Sequence, residues 1–196
     1  MMSQVFVSGH KSPDTDSIAA ALSYSYLKRR LGMDAVAVRA GEINKESRFA
    51  LDYFNLEEPI LVTSVERKNP EDEKQKVILV DHNESKQTID GMDDAEVLEI
   101  IDHHRFGDFE SENPIFILVR PVGCVNTVIY GLYKTNHIKP SREIAGIMLS
   151  AIISDTVLFR SPTTTEEDKE TAKELAEIAG VDYEAYGMEM LKAGAD

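Results

Sequence analysis

Four times along this sequence an apolar run gives way to aspartate or histidine: GHKSPDTDS at 9–17 follows VFVS, VILVDHNE spans 77–84, LEIIDHHRF spans 98–106 and AIISDT spans 151–156. The first three runs are short and rich in β-branched residues, as buried strands are. Between the first two of them the chain carries helical spacing, and helices follow the third, so strand and helix alternate. Strand, crossover and strand in succession give parallel pairing, and a parallel sheet has to be covered on both faces. The pattern predicts an α/β domain, doubly wound, with a mainly parallel sheet and helices on both faces.

Periodicity places strands at 4–8, 35–39, 60–63, 76–80, 97–101 and 115–119, and helices at 17–31, 46–54, 124–135, 142–153, 166–179 and 183–192. Gly32 stops the first helix, on which Tyr24 and Tyr26 read as core residues. The polar segment RKNPEDEKQK at 67–76 contains Pro70 and reads as a solvated loop, not a domain boundary. Thr164 and Glu167 fit a capping box ahead of the fifth helix, and Met188 and Met190 read as packing residues. Residues 1–190 are expected to form one domain. The closing KAGAD is small and flexible in composition, so 191–196 are read as the start of a linker to a further lobe.

Charge and cysteine usage narrow the chemistry. With 35 acidic residues against 21 basic ones, the chain carries a formal charge of -14 and no basic stripe, which disfavours nucleic acid as a partner. Its apolar stretches, Val77 to Val80 and Ala151 to Ile153 among them, fall far short of the roughly 20 residues of a membrane span. The opening MMSQVFVSGH has no basic region before its apolar run and breaks at Gly9, so no export leader is read and a cytoplasmic location is expected. Cys124 is the single cysteine, which excludes an intramolecular disulfide and a thiolate zinc cluster. Any metal has to be held by histidine and carboxylate.

In open parallel sheets, ligands bind outside the carboxyl ends of the strands. His10, Asp81 and Asp102 all follow predicted strands. Each candidate also has an ordinary explanation: Asp14 or Asp16 as a cap for the helix near Ser17, Asp81 and Asp102 as openers of Asx turns, His82, His103 and His104 as loop histidines. Asp155 resists such an account, because it follows the helix at 142–153, where a negative charge meets the negative end of the helix dipole. Gathered at one sheet edge, Asp14, Asp16, Asp81, Asp102 and Asp155 would repel one another and require protons or cations. Two divalent ions satisfy that requirement, and mixed imidazole and carboxylate ligation suits Mn(II), with Co(II), Zn(II) or Mg(II) as alternatives. A carboxylate shared by two ions about 3.5–4 Å apart sets up a bridging water as a nucleophile, so hydrolysis of a phosphoanhydride or phosphoester is expected.

The segments GHKSPDTDS, VDHNE, DHHR, RPVGC and SAIISDTVLFRSPTTT, in that order and over essentially the whole chain, resemble the DHH superfamily, and within it the family II, manganese-dependent inorganic pyrophosphatases. The resemblance implies hydrolysis of pyrophosphate to two phosphates with two Mn(II) ions per subunit. It implies that His10 and Asp14 hold one ion, that Asp16, His103 and Asp155 hold the other, and that Asp81 bridges them. It further implies that His104 contacts the phosphates and protonates the leaving group, as an imidazole can at neutral pH. Asp102 would then orient its neighbours without touching metal, and the molecule would be a homodimer.

Two departures from the family pattern stand out. Ser12 replaces a common Asn, a swap between turn-favouring residues that should alter the loop little, and Val125 and Asn126 replace a common Thr-Ala pair. Cys124 beside them reads as a small packed residue at a helix start. Full-length members also continue into a second lobe, the DHHA2 domain, whose Ser-Arg-Lys motif and a further Lys clamp the substrate. Ser141, Arg142 and Glu143 echo that motif only superficially, since they open a predicted helix. The chain therefore reads as the N-terminal core, expected to bind metal with weak or no turnover, because the lobe would supply most of the charge that stabilises the transferring phosphoryl group. Two other functions stay open: a DHH phosphoesterase acting on short oligonucleotides or cyclic dinucleotides, against which the charge counts, and a non-catalytic metal-binding or dimerisation module. The presence of all six candidate ligands favours a catalytic ancestry.

Overall fold

The computed structural model describes residues 3–196. Six strands, β1 (Val5–Ser8), β2 (Ala35–Arg39), β3 (Ile60–Leu61), β4 (Lys76–Val80), β5 (Glu96–Asp102) and β6 (Phe116–Val119), form one sheet in the order β3-β2-β1-β4-β5-β6. Every neighbouring pair is parallel. The winding reverses between β1 and β4, so their carboxyl ends flank the crevice where such sheets bind ligands. The β-branched run of β4 is buried on both faces, with Val77 and Leu79 on one side and Ile78 and Val80 on the other.

Six α-helices, α1 (Thr15–Arg30), α2 (Lys45–Tyr53), α3 (Val125–Thr135), α4 (Arg142–Thr156), α5 (Glu166–Ala179) and α6 (Tyr183–Ala195), complete the fold. All of them feed one core, built around α1 and α4. Small residues on α1, Ala19, Ala20, Ala21 and Ser23, let α3 and α4 pack closely against it, and α4 is buried from Ile144 to Ile153. The doubly wound path is as expected, yet the helices on the second face are only two 3₁₀ turns, Ser85–Gln87 and Met92–Asp94. With loop residues they cover Val38, Val77, Leu79 and Ile100. The connection from β4 to β5 carries Asn83, Thr88, Asp90 and Gly91, residues that favour turns over a continuous helix.

Several boundaries differ from the sequence reading, each for a local reason. Helix α1 opens at Thr15 because Asp14 caps it, accepting from the Ser17 amide at 2.9 Å. Helix α4 continues to Thr156, so Asp155 lies within its last turn instead of after it. The chain then makes a left-handed turn through Val157, Leu158 and Phe159, with φ of 48°, 53° and 69°. The capping box of α5 pairs Thr165 with Asp168, one residue beyond the expected Thr164 and Glu167. Met190 is buried as expected, whereas Met188 is exposed. Helix α6 runs on through 191–195.

Candidate metal centre

The carboxyl edge of β1, β4 and β5 collects the candidate residues, and each loop places its side chain by a separate local device. After β1 the chain folds back onto the start of α1. A Cβ at Gly9 would lie 2.5 Å from that of Ser17, so only glycine permits the approach. The His10 amide donates to Ser17 Oγ at 3.2 Å, and Asp14 caps the helix, which brings His10 Nε2 to 3.5 Å from Asp14 Oδ1. Ser12 in this loop has φ +50°, a left-handed conformation that Asn adopts more readily than Ser, so the exchange at this position is less neutral than expected.

Asp81, directly after β4, is fully buried with φ +62°, its amide donating to the Ile101 carbonyl at 2.9 Å. Its two oxygens face opposite ways. Oδ2 accepts from Ser17 Oγ at 2.9 Å and lies 3.4 Å from His10 Nε2, while Oδ1 lies 3.2 Å from His103 Nε2. His103 Nε2 is also 3.4 Å from Asp16 Oδ2 and 3.9 Å from Asp155 Oδ2. In space the residues thus fall into His10, Asp14 and Asp81 on one side and Asp16, His103 and Asp155 on the other, and Asp102 and His104 form a third cluster with Asp81 and His103.

Asp102 ends β5 and is buried. Its Oδ1 accepts from the His103 amide at 2.8 Å and from His104 Nδ1 at 2.7 Å, and its Oδ2 from Asn83 Nδ2 at 2.7 Å. It therefore fixes the turn that carries both histidines. Asp16, in the first turn of α1, faces the start of α3, where Cys124, buried and packed as expected, donates its thiol to Oδ1 at 2.9 Å and the Val125 amide donates to Oδ2 at 2.9 Å. Sequence reasoning missed Ser17, Asn83 and Asp168. Asp168 is buried and accepts from the Gly123 amide and Thr127 Oγ1, bracing the loop whose Val122 carbonyl accepts from His103 Nδ1 at 2.9 Å. Only an acid three residues after a threonine marked Asp168, and several threonine and acid pairs share that spacing.

The electrostatics call for a cation. Burial would lower the His10 pKa, but hydrogen bonds to Asp14 and Asp81 outweigh it and push the group up to about 11. His103 is likewise carried to about 10, burial being outweighed by Asp81 and Asp16. Burial first, and then the charge of Asp16, lift Asp81 to about 7 and Asp155 to about 12. Asp14 is held below its usual range: burial opposes this, but His10 prevails. Both imidazoles direct Nδ1 to main-chain carbonyls, those of Lys11 at 2.6 Å and Val122, so their Nε2 atoms face the carboxylates. A lone pair facing carboxylate is repulsive unless a proton or a metal lies between them. Two imidazole nitrogens and four carboxylates without thiolate fit divalent ions of the Mn(II) type.

His104, half-exposed, is raised in pKa by its hydrogen bond to Asp102. His82, one of the presumed loop histidines, is instead fully buried, and desolvation drives it down to about 4. A cavity of about 850 Å³ on the second face of the sheet, lined by Leu79, Thr88, Ile89 and Met92, takes in none of the six candidate ligands.

Known proteins resemble this chain in sequence and in fold. The DHH family, N-terminal domain, matches residues 4–152. The chain is 55% identical over 195 residues to proteins of Exiguobacterium sp. and Bacillus licheniformis, each named "Probable manganese-dependent inorganic pyrophosphatase". It is covered completely in both comparisons but spans 62% of the length of those relatives. A crystal structure of a Methanococcus jannaschii protein assigned to the family II inorganic pyrophosphatases superposes with a TM-score of 0.86 at 44% identity, over 96% of this chain and 61% of that one. An exopolyphosphatase-related protein from Bacteroides fragilis shares the fold, with a TM-score of 0.68 at 18% identity over 98% of this chain and 56% of that one. With its strand-end acids and histidines set in the matching sheet, the chain belongs to the DHH family and carries that family's N-terminal domain.

Proposed function

We propose that this chain is the metal-binding core of a manganese-dependent enzyme that hydrolyses inorganic pyrophosphate to two phosphates. The observation that carries the reading is the divided carboxylate of Asp81, one oxygen turned to His10 and the other to His103. In this reading His10 and Asp14 hold one ion, Asp16, His103 and Asp155 hold the other, and Asp81 serves both. Such ions, when bound, would supply a nucleophilic water at neutral pH and neutralise phosphoryl oxygens. His104 delivers a proton to the leaving phosphate, and Asp102 keeps its ring oriented and its protonated form populated.

The same reading makes residues 1–190 one domain, with 191–196 leading toward a second lobe of the DHHA2 type that supplies a cationic clamp for the substrate. The 62% coverage of the relatives supports this. A cytoplasmic homodimer completes the proposal. Phe116 and Ile117 on the open β6 edge support pairing between subunits, and the buried free thiol of Cys124 suits a reducing compartment. No helix among the described residues is long and apolar enough to cross a membrane.

The test is phosphate release from pyrophosphate with Mn(II), run beside bis-p-nitrophenyl phosphate and an Asp81→Ala variant. Slow release from pyrophosphate that disappears in the variant is the expected result. Cleavage of the diester alone would transfer the chain to the phosphoesterase branch. Inactivity on both substrates without Mn(II) binding would overturn the reading.

A further inference from the structure

Asn126 lies in the first turn of α3, fully buried, and has no part in the scheme above. Its Nδ2 donates to Asp16 Oδ1 at 2.6 Å and reaches the Asp16 carbonyl at 3.3 Å, while its Oδ1 accepts from Ser23 Oγ at 2.8 Å. The Asp16 oxygens, which only accept, fix which way the amide faces, and the Ser23 hydroxyl anchors its other end. With the Cys124 thiol also on Oδ1 and the Val125 amide on Oδ2, Asp16 keeps one open side, toward Asp155 and toward His103 Nε2, which lies 3.4 Å from Oδ2. Asp14, in contrast, has a half-exposed side chain and accepts from the Ser17 amide.

We propose that Asn126 is a positioning residue that confines Asp16 to binding metal through one oxygen, and that it thereby sets the affinity of the Asp16, His103 and Asp155 half-site without affecting the His10 and Asp14 half-site. The inference rests on the two-metal reading of the cleft. A carboxylate with both oxygens free can swing between one- and two-oxygen ligation; pinned at Oδ1 it cannot. All three donors to Asp16 are uncharged, so the carboxylate is oriented while its negative charge is left for the ion. Packing alone does not call for asparagine here, since leucine has nearly the same shape and a better helix propensity. The amide matters to Asp16 and Ser23.

Mn(II) binding to the whole chain, followed by the paramagnetic resonance signal of the free ion, tests this in the wild type, Asn126→Leu and Ser23→Ala. We expect one class of site to weaken about tenfold or more in Asn126→Leu while the other keeps its affinity, the size typical for partners of metal ligands. Ser23→Ala, which keeps the amide on Asp16 but removes its second anchor, should weaken the same class by a smaller factor. If Asn126→Leu does not fold, as judged by thermal unfolding in chelator, the Ser23→Ala result decides. Wild-type affinity in both classes for the folded variants, or equal loss from both, would overturn the inference while leaving the two-metal reading intact. Failure of the wild type to bind Mn(II) would remove both.

Discussion

The two halves of the cleft are built by opposite strategies. His10 and Asp14 are four residues apart on a single loop, and the Asp14 side chain is 48% exposed. Asp16, His103 and Asp155 come from three distant segments, and Asp16 is fully buried under donors from a helix start. The local half draws its shape from β1 and the first turn of α1, with a tie beyond them where the Lys11 amide donates to the Gln87 carbonyl. The dispersed half exists only when the whole domain does, so its precision is a property of the core and its cost is borne by the core.

Asp81 joins the halves, and removing it should give the largest effect. In a wild type that binds as proposed, Mn(II) at a hundredfold excess over Kd adds about 2.7 kcal/mol of stability per site. In Asp81→Ala that gain should vanish from both halves, whereas His10→Ala should lose it from one, as read by thermal unfolding with and without Mn(II). Equal losses in the two variants would mean that the halves are not separable.

Asp155→Asn should split the comparison next. Because the folded carboxyl is raised to about 12, the metal-free fold takes up a proton that the unfolded chain has released at neutral pH. Its stability therefore falls as pH rises from about 4 toward 12. The amide removes that dependence, so Asp155→Asn should raise the metal-free Tm at pH 8, at about 2–4 °C per kcal/mol, while abolishing Mn(II) binding to the dispersed half. A lower metal-free Tm would show that the carboxyl is not strained in the absence of metal. The smallest effect belongs to the local half: Ser12→Asn, better suited to the left-handed φ of +50°, should stabilise by about 0.5 kcal/mol with unchanged Mn(II) affinity.

The same division governs what could be read from the sequence. Strand positions follow from β-branched runs, and the strand-end acids and histidines announce the cleft, because both are local patterns. The proposed partition of ligands between two ions rests on a family resemblance, since nothing in the spacing of residues 16, 103 and 155 pairs them. The capping box was missed by one residue because Thr163, Thr164 and Thr165 look alike in sequence, and the choice is made by the contact of Asp168 with Gly123. Asn126 registered only as an oddity, and its partner Asp16 lies far along the chain. The end of α4 lies beyond the point that the sequence predicts, since a helix carrying an acid through its last turn runs against the usual preference.

The adjacency of β1 and β4, with Val5 beside Lys76, also sets an order of events in time. A long stretch of chain has to be closed before those strands meet, and such non-local pairing is slow. In the two-metal reading, an ion meeting the nascent chain would find at most the His10 and Asp14 loop, because Asp81 would arrive with that closure and Asp155 later still. Manganese would then act as a latch and not as a template: it would do little to hasten the search for the native state, but would lengthen the time the chain stays there once found.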